Sequence, residues 1–158
     1  MKPEEKYKYW VMLADYDLDT AKVLMAGERW AYVAYVCQQA LERQLKGMYV
    51  YYVGKEAPKS HNLPFLYKAV KSSAGFPQCE EPEVFTAERS DECEDFLTEV
   101  MFYYMSDYPF SYKRIVRRFI GADLGRELYA KTCETIAWLR TLQPPPEPVD
   151  LESLTRQT

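Results

Sequence analysis

The chain has 158 residues, a net charge of −4 and four cysteines. This length fits one domain, which buries roughly two thirds of the surface that its unfolded form exposes. The acidic balance argues against a protein that coats nucleic acid, and the cysteines lack the spacing of a disulfide scaffold or a zinc site. No apolar run reaches the ~20 residues of a membrane span, and no cleavable leader follows Met1. These features predict a soluble cytoplasmic protein with free thiols.

The first third of the chain predicts two long helices. Apolar residues recur at intervals of three and four from Tyr9 to Met25 and again from Trp30 to Val53, which is the pattern of a buried helical stripe. Gly27 and Gly54 follow the two runs and are suitable helix ends. The predicted buried stripe of the first helix comprises Trp10, Leu13, Ala14, Leu18, Ala21, Leu24 and Met25.

A loop and a short helix follow. Residues 55–60 contain a proline, and Ser60 can cap a short helix. That helix carries the apolar residues Leu63, Phe65, Leu66 and Val70. The stretch from Ser72 to Pro82 is rich in glycine and proline and is predicted to be irregular.

Two more long helices complete the pattern. One is predicted from about Glu83 or Ser90 to Met105, and the other from about Ala122 to Leu142. The sequence therefore predicts an all-α fold: an antiparallel up-and-down bundle of four long helices plus one or two short ones. We expect residues 1–143 to form this bundle and the Pro-rich residues 144–158 to be a flexible tail.

Polar residues gather on one flank of the second predicted helix. Spacings of three and four place four of them together: Gln39, Glu42, Arg43 and Lys46. Asp17 of the first helix can face them. Two interpretations remain open, a solvated flank with local ion pairs or a polar cleft that binds a ligand.

The only histidine, His61, follows this helix across the loop. It is either a loop histidine bonded to the backbone or a member of the same cleft. A lone histidine, with cysteines that lack ligand spacing, does not predict a metal site, and no cofactor is indicated.

A second candidate surface combines aromatic and basic residues. Its members are Tyr103, Tyr104, Tyr108, Phe110, Tyr112, Lys113, Arg114, Arg117 and Arg118. Such side chains can stack on bases and neutralise phosphates, so a nucleotide or a single strand can dock there. The alternative is a packed turn whose charges balance the acidic stretch of residues 80–99.

Four motifs, in order and spacing, resemble the HEPN domain family of prokaryotes. They are a DLxxA helix at Asp17–Ala21, a QQAxEKxxKA helix at Gln38–Gly47, a (T/S)HxL turn at Ser60–Leu63 and an aromatic-Pro element at Tyr108–Pro109. The resemblance covers residues 6–142. It implies an up-and-down bundle, frequent homodimerisation, and partnership with small nucleotidyltransferase-fold proteins, for which such chains act as substrate-binding subunits.

Some members of that family are ribonucleases, which resemble one another in an arginine followed about four to six residues later by a histidine. This chain lacks such a pair, because Lys55 stands where the arginine is expected before His61. Lysine supplies a point charge but not the bidentate fork of arginine. The family pattern also has lysine at the position of Arg43, a change that keeps the charge.

Tyrosine is abundant, with 14 in the chain. Four of those on the second predicted helix, Tyr32, Tyr35, Tyr49 and Tyr51, cannot all face inward. Because tyrosine is favoured in protein interfaces, we expect a homodimer through the first two helices.

Two functions of different class remain open. The first is a non-enzymatic binding module that binds a nucleotide or a nucleotidyltransferase partner at Gln39, Glu42, Lys46 and His61. The alternative is an RNA-binding or RNA-cleaving toxin-like protein that uses His61 as the acid or base, with Lys55 or Arg114 on phosphate.

Overall fold

The computed structural model describes residues 1–76, 85–105 and 120–142. Five helices follow one another in these ranges: α1 (Pro3–Ala26), α2 (Trp30–Val53), α3 (Leu63–Lys71), α4 (Ala87–Met105) and α5 (Ala122–Thr141). The described residues contain no strand, and the predicted all-α bundle of long helices with a short one is confirmed. The expected tail of residues 144–158 lies outside the described residues.

Helix α2 is the centre of the bundle. It contacts each of the other four helices in the described part of the chain, and most of its residues are buried. None of the described helices is both long enough and apolar enough to cross a bilayer.

Local sequence signals account for several helix ends. Helix α1 begins at Pro3, before the predicted Tyr9, because proline at the first helical position and acidic residues in the first turn both suit a helix N-terminus. Helix α2 ends at Val53, and its C-cap is Gly54, which has a φ of 72°. Glycine adopts this left-handed conformation without the steric penalty that a Cβ brings.

The predicted cap of α3 is wrong by two residues. Asn62, not Ser60, is the N-cap, and its Oδ1 accepts a hydrogen bond from the N–H of Phe65 at 3.0 Å. The Ser60 hydroxyl instead accepts from the N–H of Asn62 at 3.1 Å, and so it orders the turn before the helix. Both residue types cap helices well, so the tertiary position of the loop decides between them.

The buried stripe of α1 agrees with the predicted one in part, since Ala14 and Ala21 are buried and Leu18, Leu24 and Met25 pack against the core. Its buried apolar residues are Tyr7, Val11, Ala14 and Ala21. Leu13, which the sequence pattern assigned to the core, is exposed. Tyr7, which precedes the predicted range, extends the stripe: its ring lies in the core while its hydroxyl accepts a hydrogen bond from Gln44 of α2 at 3.2 Å.

Arg140 of α5 forms hydrogen bonds to both α1 and α2. Its Nε donates to Gln44 Oε1 at 3.0 Å, and its Nη2 donates to Asp15 of α1 at 2.7 Å. Gln44 therefore connects α5 to Tyr7, and one chain of hydrogen bonds spans α1, α2 and α5.

Helices α1 and α2 run antiparallel and are in close contact at Gly47. A Cβ added at Gly47 would lie 2.8 Å from Trp10 Cβ and 3.0 Å from a ring carbon of Tyr7. Both distances are below normal van der Waals contact, and Trp10 Cβ cannot move without its backbone. Glycine at this position is therefore required by the helix spacing.

We predict that Gly47→Ala destabilises the protein. Forcing a methyl into this contact costs about 1–3 kcal/mol, which offsets or exceeds the gain of about 1 kcal/mol in helix propensity. Chemical denaturation of the wild type and the variant measures the difference. Gly27→Ala is the control, since its Cβ would meet only ordinary contacts at 3.6 and 3.8 Å. A Gly47→Ala protein more stable than the Gly27→Ala protein would contradict the close approach.

Candidate functional site

The loop between α2 and α3 folds back along the outer side of α2. Its last part is fixed to the middle of that helix, because Gln38 Nε2 donates to the main-chain carbonyl oxygen of His61 at 2.9 Å. Its first part contacts α1 through a solvent-exposed ion pair between Glu56 and Lys6. The loop therefore holds His61 against α2.

Glu42 of α2 forms the centre of the site. It is only 4% exposed, and each carboxylate oxygen has its own partner. Oε1 accepts from Lys46 Nζ at 2.6 Å, and Oε2 lies 2.9 Å from His61 Nδ1. A buried carboxylate requires such partners, because removing its charge from water costs on the order of several kcal/mol of hydration free energy. These three residues form what we name the Glu42 cluster: Glu42, Lys46 and His61.

The members of the Glu42 cluster differ in access to solvent. Lys46 is buried like Glu42, although slightly less so, whereas the His61 side chain is 64% exposed. Only the imidazole is therefore in a position to meet a molecule that arrives from solvent.

A second ion pair lies beside the cluster and joins α1 to α2. Arg43 Nη1 donates to Asp17 Oδ1 at 2.9 Å and to the carbonyl oxygen of Leu13 at 3.4 Å. Asp17 Oδ2 is buried and has no hydrogen-bond partner within the described ranges. Burial raises the pKa of Asp17 above its usual value; the nearby Arg43 guanidinium opposes this rise, and the charge of Glu42 adds to it.

The polar residues that the sequence pattern grouped on one flank of α2 thus face two different directions in the structure. Lys46 and Glu42 face the loop, Arg43 faces α1, and the half-buried Gln39 lies between these two directions. Gln38 was missed by the sequence reasoning, although it is the residue that holds the loop. Its separations of four from Glu42 and of eight from Lys46 are the signal that could have identified it.

The second candidate surface lies largely outside the described residues. Tyr108 and Arg114 fall in residues 106–119, which the structure does not describe. No group of three or more histidine, cysteine, aspartate or glutamate side chains in residues 1–76, 85–105 and 120–142 is arranged to hold a metal ion.

Comparison with known proteins gives one family. The model of the HEPN domain family matches residues 7–139, a range that includes the Glu42 cluster and the Asp17–Arg43 pair. No curated protein and no solved structure matches the chain significantly.

We predict that Asp17 makes stability fall as the pH rises. Because its folded pKa lies above the usual value of 3.8, its stabilising contribution is complete below that pH and is lost as the pH rises through the folded pKa. The free energy of unfolding of the wild type, minus that of Asp17→Asn, should therefore decrease as the pH rises from below 3.8 through the folded pKa of Asp17.

Urea denaturation at a series of pH values measures this difference. Asp19→Asn, on the exposed side of the same helix, controls for the loss of one negative charge. A difference that increases with pH would mean that Arg43, and not burial, dominates the environment of Asp17.

Proposed function

Because this chain belongs to the HEPN domain family, we propose that it is a non-enzymatic, homodimeric binding module whose Glu42 cluster lies at its ligand site. Its ligand is a nucleotide, or a small nucleotidyltransferase that presents one. The observation that carries the proposal is the exposed imidazole of His61, which buried residues hold at the ring and at the main chain. A polar group held in place before binding loses less conformational entropy when its ligand arrives.

The surroundings of His61 suit a nucleotide. Tyr35 is exposed on α2 and lies two turns before Glu42 on the same side of the helix, at a separation of seven. Its ring offers a surface on which a base can stack. Lys59, exposed in the loop two residues before His61, adds positive charge for a phosphate.

Exposed apolar side chains support the homodimer. Leu13, Tyr16 and Val23 share one face of α1, and the last two are 71% and 72% exposed. The Asp17–Arg43 pair sets the antiparallel register, so that Val23 is level with the first turns of α2, where Tyr32 is exposed. An exposed apolar patch of this kind is typical of a protein interface.

We predict that His61→Ala weakens nucleotide binding by at least about tenfold, or about 1.4 kcal/mol, because the variant loses the one exposed polar group of the cluster. Isothermal titration calorimetry with ATP and GTP measures the effect. Lys131→Ala, which removes an exposed charge from α5, should bind as the wild type does. Equal affinities for the wild type and His61→Ala would exclude His61 from the site.

The nucleotidyltransferase partner has its own test. We expect a small nucleotidyltransferase encoded beside this chain to co-purify with it, and His61→Ala to reduce the recovery. Failure of such a protein to bind the wild type would leave the nucleotide alone as the ligand.

We predict that Tyr16→Glu combined with Val23→Glu converts the dimer into a monomer, because two buried carboxylates cannot be paired across that face. Analytical ultracentrifugation measures the mass. Phe102→Glu makes the same kind of change on an exposed residue of α4 and should leave the dimer intact. A dimer that survives the α1 substitutions would use another surface.

RNA cleavage remains the second candidate, and one observation favours it. The Glu42 carboxylate lies 2.9 Å from His61 Nδ1, an arrangement in which a histidine can act as a general base. The imidazole would accept the proton of a ribose 2′-hydroxyl as its oxygen attacks the adjacent phosphorus, and the 5′-oxygen would leave with a proton from water. Lys55, exposed in the same loop, would contact phosphate.

Incubation of the purified protein with bulk RNA separates the two functions. The binding module leaves the RNA intact. Cleavage by the wild type that is lost in His61→Ala would replace the first proposal with the second.

A further inference from the structure

We propose that Glu42 is a positioning residue, which fixes the tautomer and the ring orientation of His61 and does not itself contact the ligand. This inference rests on the proposed function, in which His61 meets the ligand. The sequence pattern placed Glu42 among the residues that line a ligand site. The positioning role differs from that expectation, because Glu42 then acts on the ligand only through His61.

Burial separates Glu42 from any ligand. The side chain is almost entirely covered, and its two oxygens already accept hydrogen bonds from Lys46 and His61. A ligand donor would have to displace one of these partners. Displacing Lys46 would leave a buried ammonium group without its counter-charge, which is strongly unfavourable.

The same contacts determine which ring nitrogen of His61 carries the proton. A carboxylate only accepts hydrogen bonds, so the 2.9 Å contact requires a hydrogen on Nδ1. The lone pair of the neutral imidazole is then on Nε2, on the other side of the ring. Nε2 is therefore an acceptor nitrogen while the ring is neutral, and an N–H donor when the ring is protonated.

Three residues of one helix face hold His61 in this state. Gln38 binds its carbonyl oxygen and Glu42 binds its ring, while Lys46 holds the other oxygen of Glu42 and so limits rotation of the carboxylate. The imidazole belongs to a loop, yet its position is set by a helix in the centre of the bundle. Sites supported by rigid elements hold their geometry better than sites supported by loops alone.

The tautomer can be measured directly, because His61 is the only histidine in the chain. Protein labelled with ¹⁵N-histidine gives one pair of ring nitrogen signals, and their chemical shifts report the tautomer of the neutral ring. We expect the Nδ1–H tautomer to predominate in the wild type and in Lys46→Met, which keeps the Glu42 carboxylate.

The decisive variant is Glu42→Leu combined with Lys46→Met. It removes the acceptor without leaving a buried ammonium unpaired, and replacing a buried ion pair with apolar residues is often neutral for stability. We expect the Nδ1–H tautomer to lose its predominance in this variant. Glu42→Gln combined with Lys46→Met restores an acceptor oxygen without the charge and should restore the tautomer, which a general loosening of the fold would not do.

Binding gives the second readout, with ATP as the probe. Glu42→Leu combined with Lys46→Met should weaken ATP binding about tenfold relative to Lys46→Met, as loss of an outer partner of a binding residue does. In a His61→Ala background the same pair of substitutions should cause no further loss, because Glu42 acts only through His61.

Two results would overturn the positioning role. One is an unchanged tautomer after Glu42→Leu in the Lys46→Met background, and the other is a full further loss of ATP affinity in the His61→Ala background. Absence of ATP binding to the wild type counts against the proposed function alone, since the nitrogen shifts are measured without a ligand.

Discussion

The rest of the structure depends on one constraint: α2 lies at the centre of the bundle and still carries a row of polar side chains. Gln38, Glu42, Gln44 and Lys46 are all buried, and α2 contacts each of the other described helices. Burial favours pairing of these groups, because an unsatisfied donor or acceptor loses the hydrogen bonds that water gave it. Among the described residues of α2, Gln38 Oε1 is the buried side-chain atom that has no partner. The neighbours of α2 are therefore arranged around the needs of these side chains.

This constraint explains both sides of the helix. On one side Gln44 is satisfied by Tyr7 and Arg140, which aligns α1 and α5 on α2. On the other side Gln38 and Glu42 contact His61, and these contacts hold the α2–α3 loop against the helix. The exposed imidazole is thus a consequence of how the core is satisfied, and the proposed site shares its supports with the fold.

The amphipathic period was enough to predict the five described helices, and the Asp17–Arg43 contact agrees with the expectation that Asp17 faces the polar flank of α2. The finer features were not predictable in the same way. The stripe of α1 extends to Tyr7, before the predicted range, and leaves out Leu13, which is exposed. Asn62 caps α3 in place of Ser60 because the Ser60 hydroxyl bonds inside the turn.

The sequence by itself determined that this chain is a HEPN helical bundle with a polar flank on its second helix and one histidine beyond it. Only the tertiary structure decided which flank residues belong together. Successive residues of a helix point about 100° apart, so Gln38 and Gln39 face different neighbours although they are adjacent and chemically identical. The α2–α3 loop lies on the side of α2 that carries Gln38 and Glu42, so these two residues contact His61. Helix α1 lies on the side that carries Arg43, which therefore pairs with Asp17.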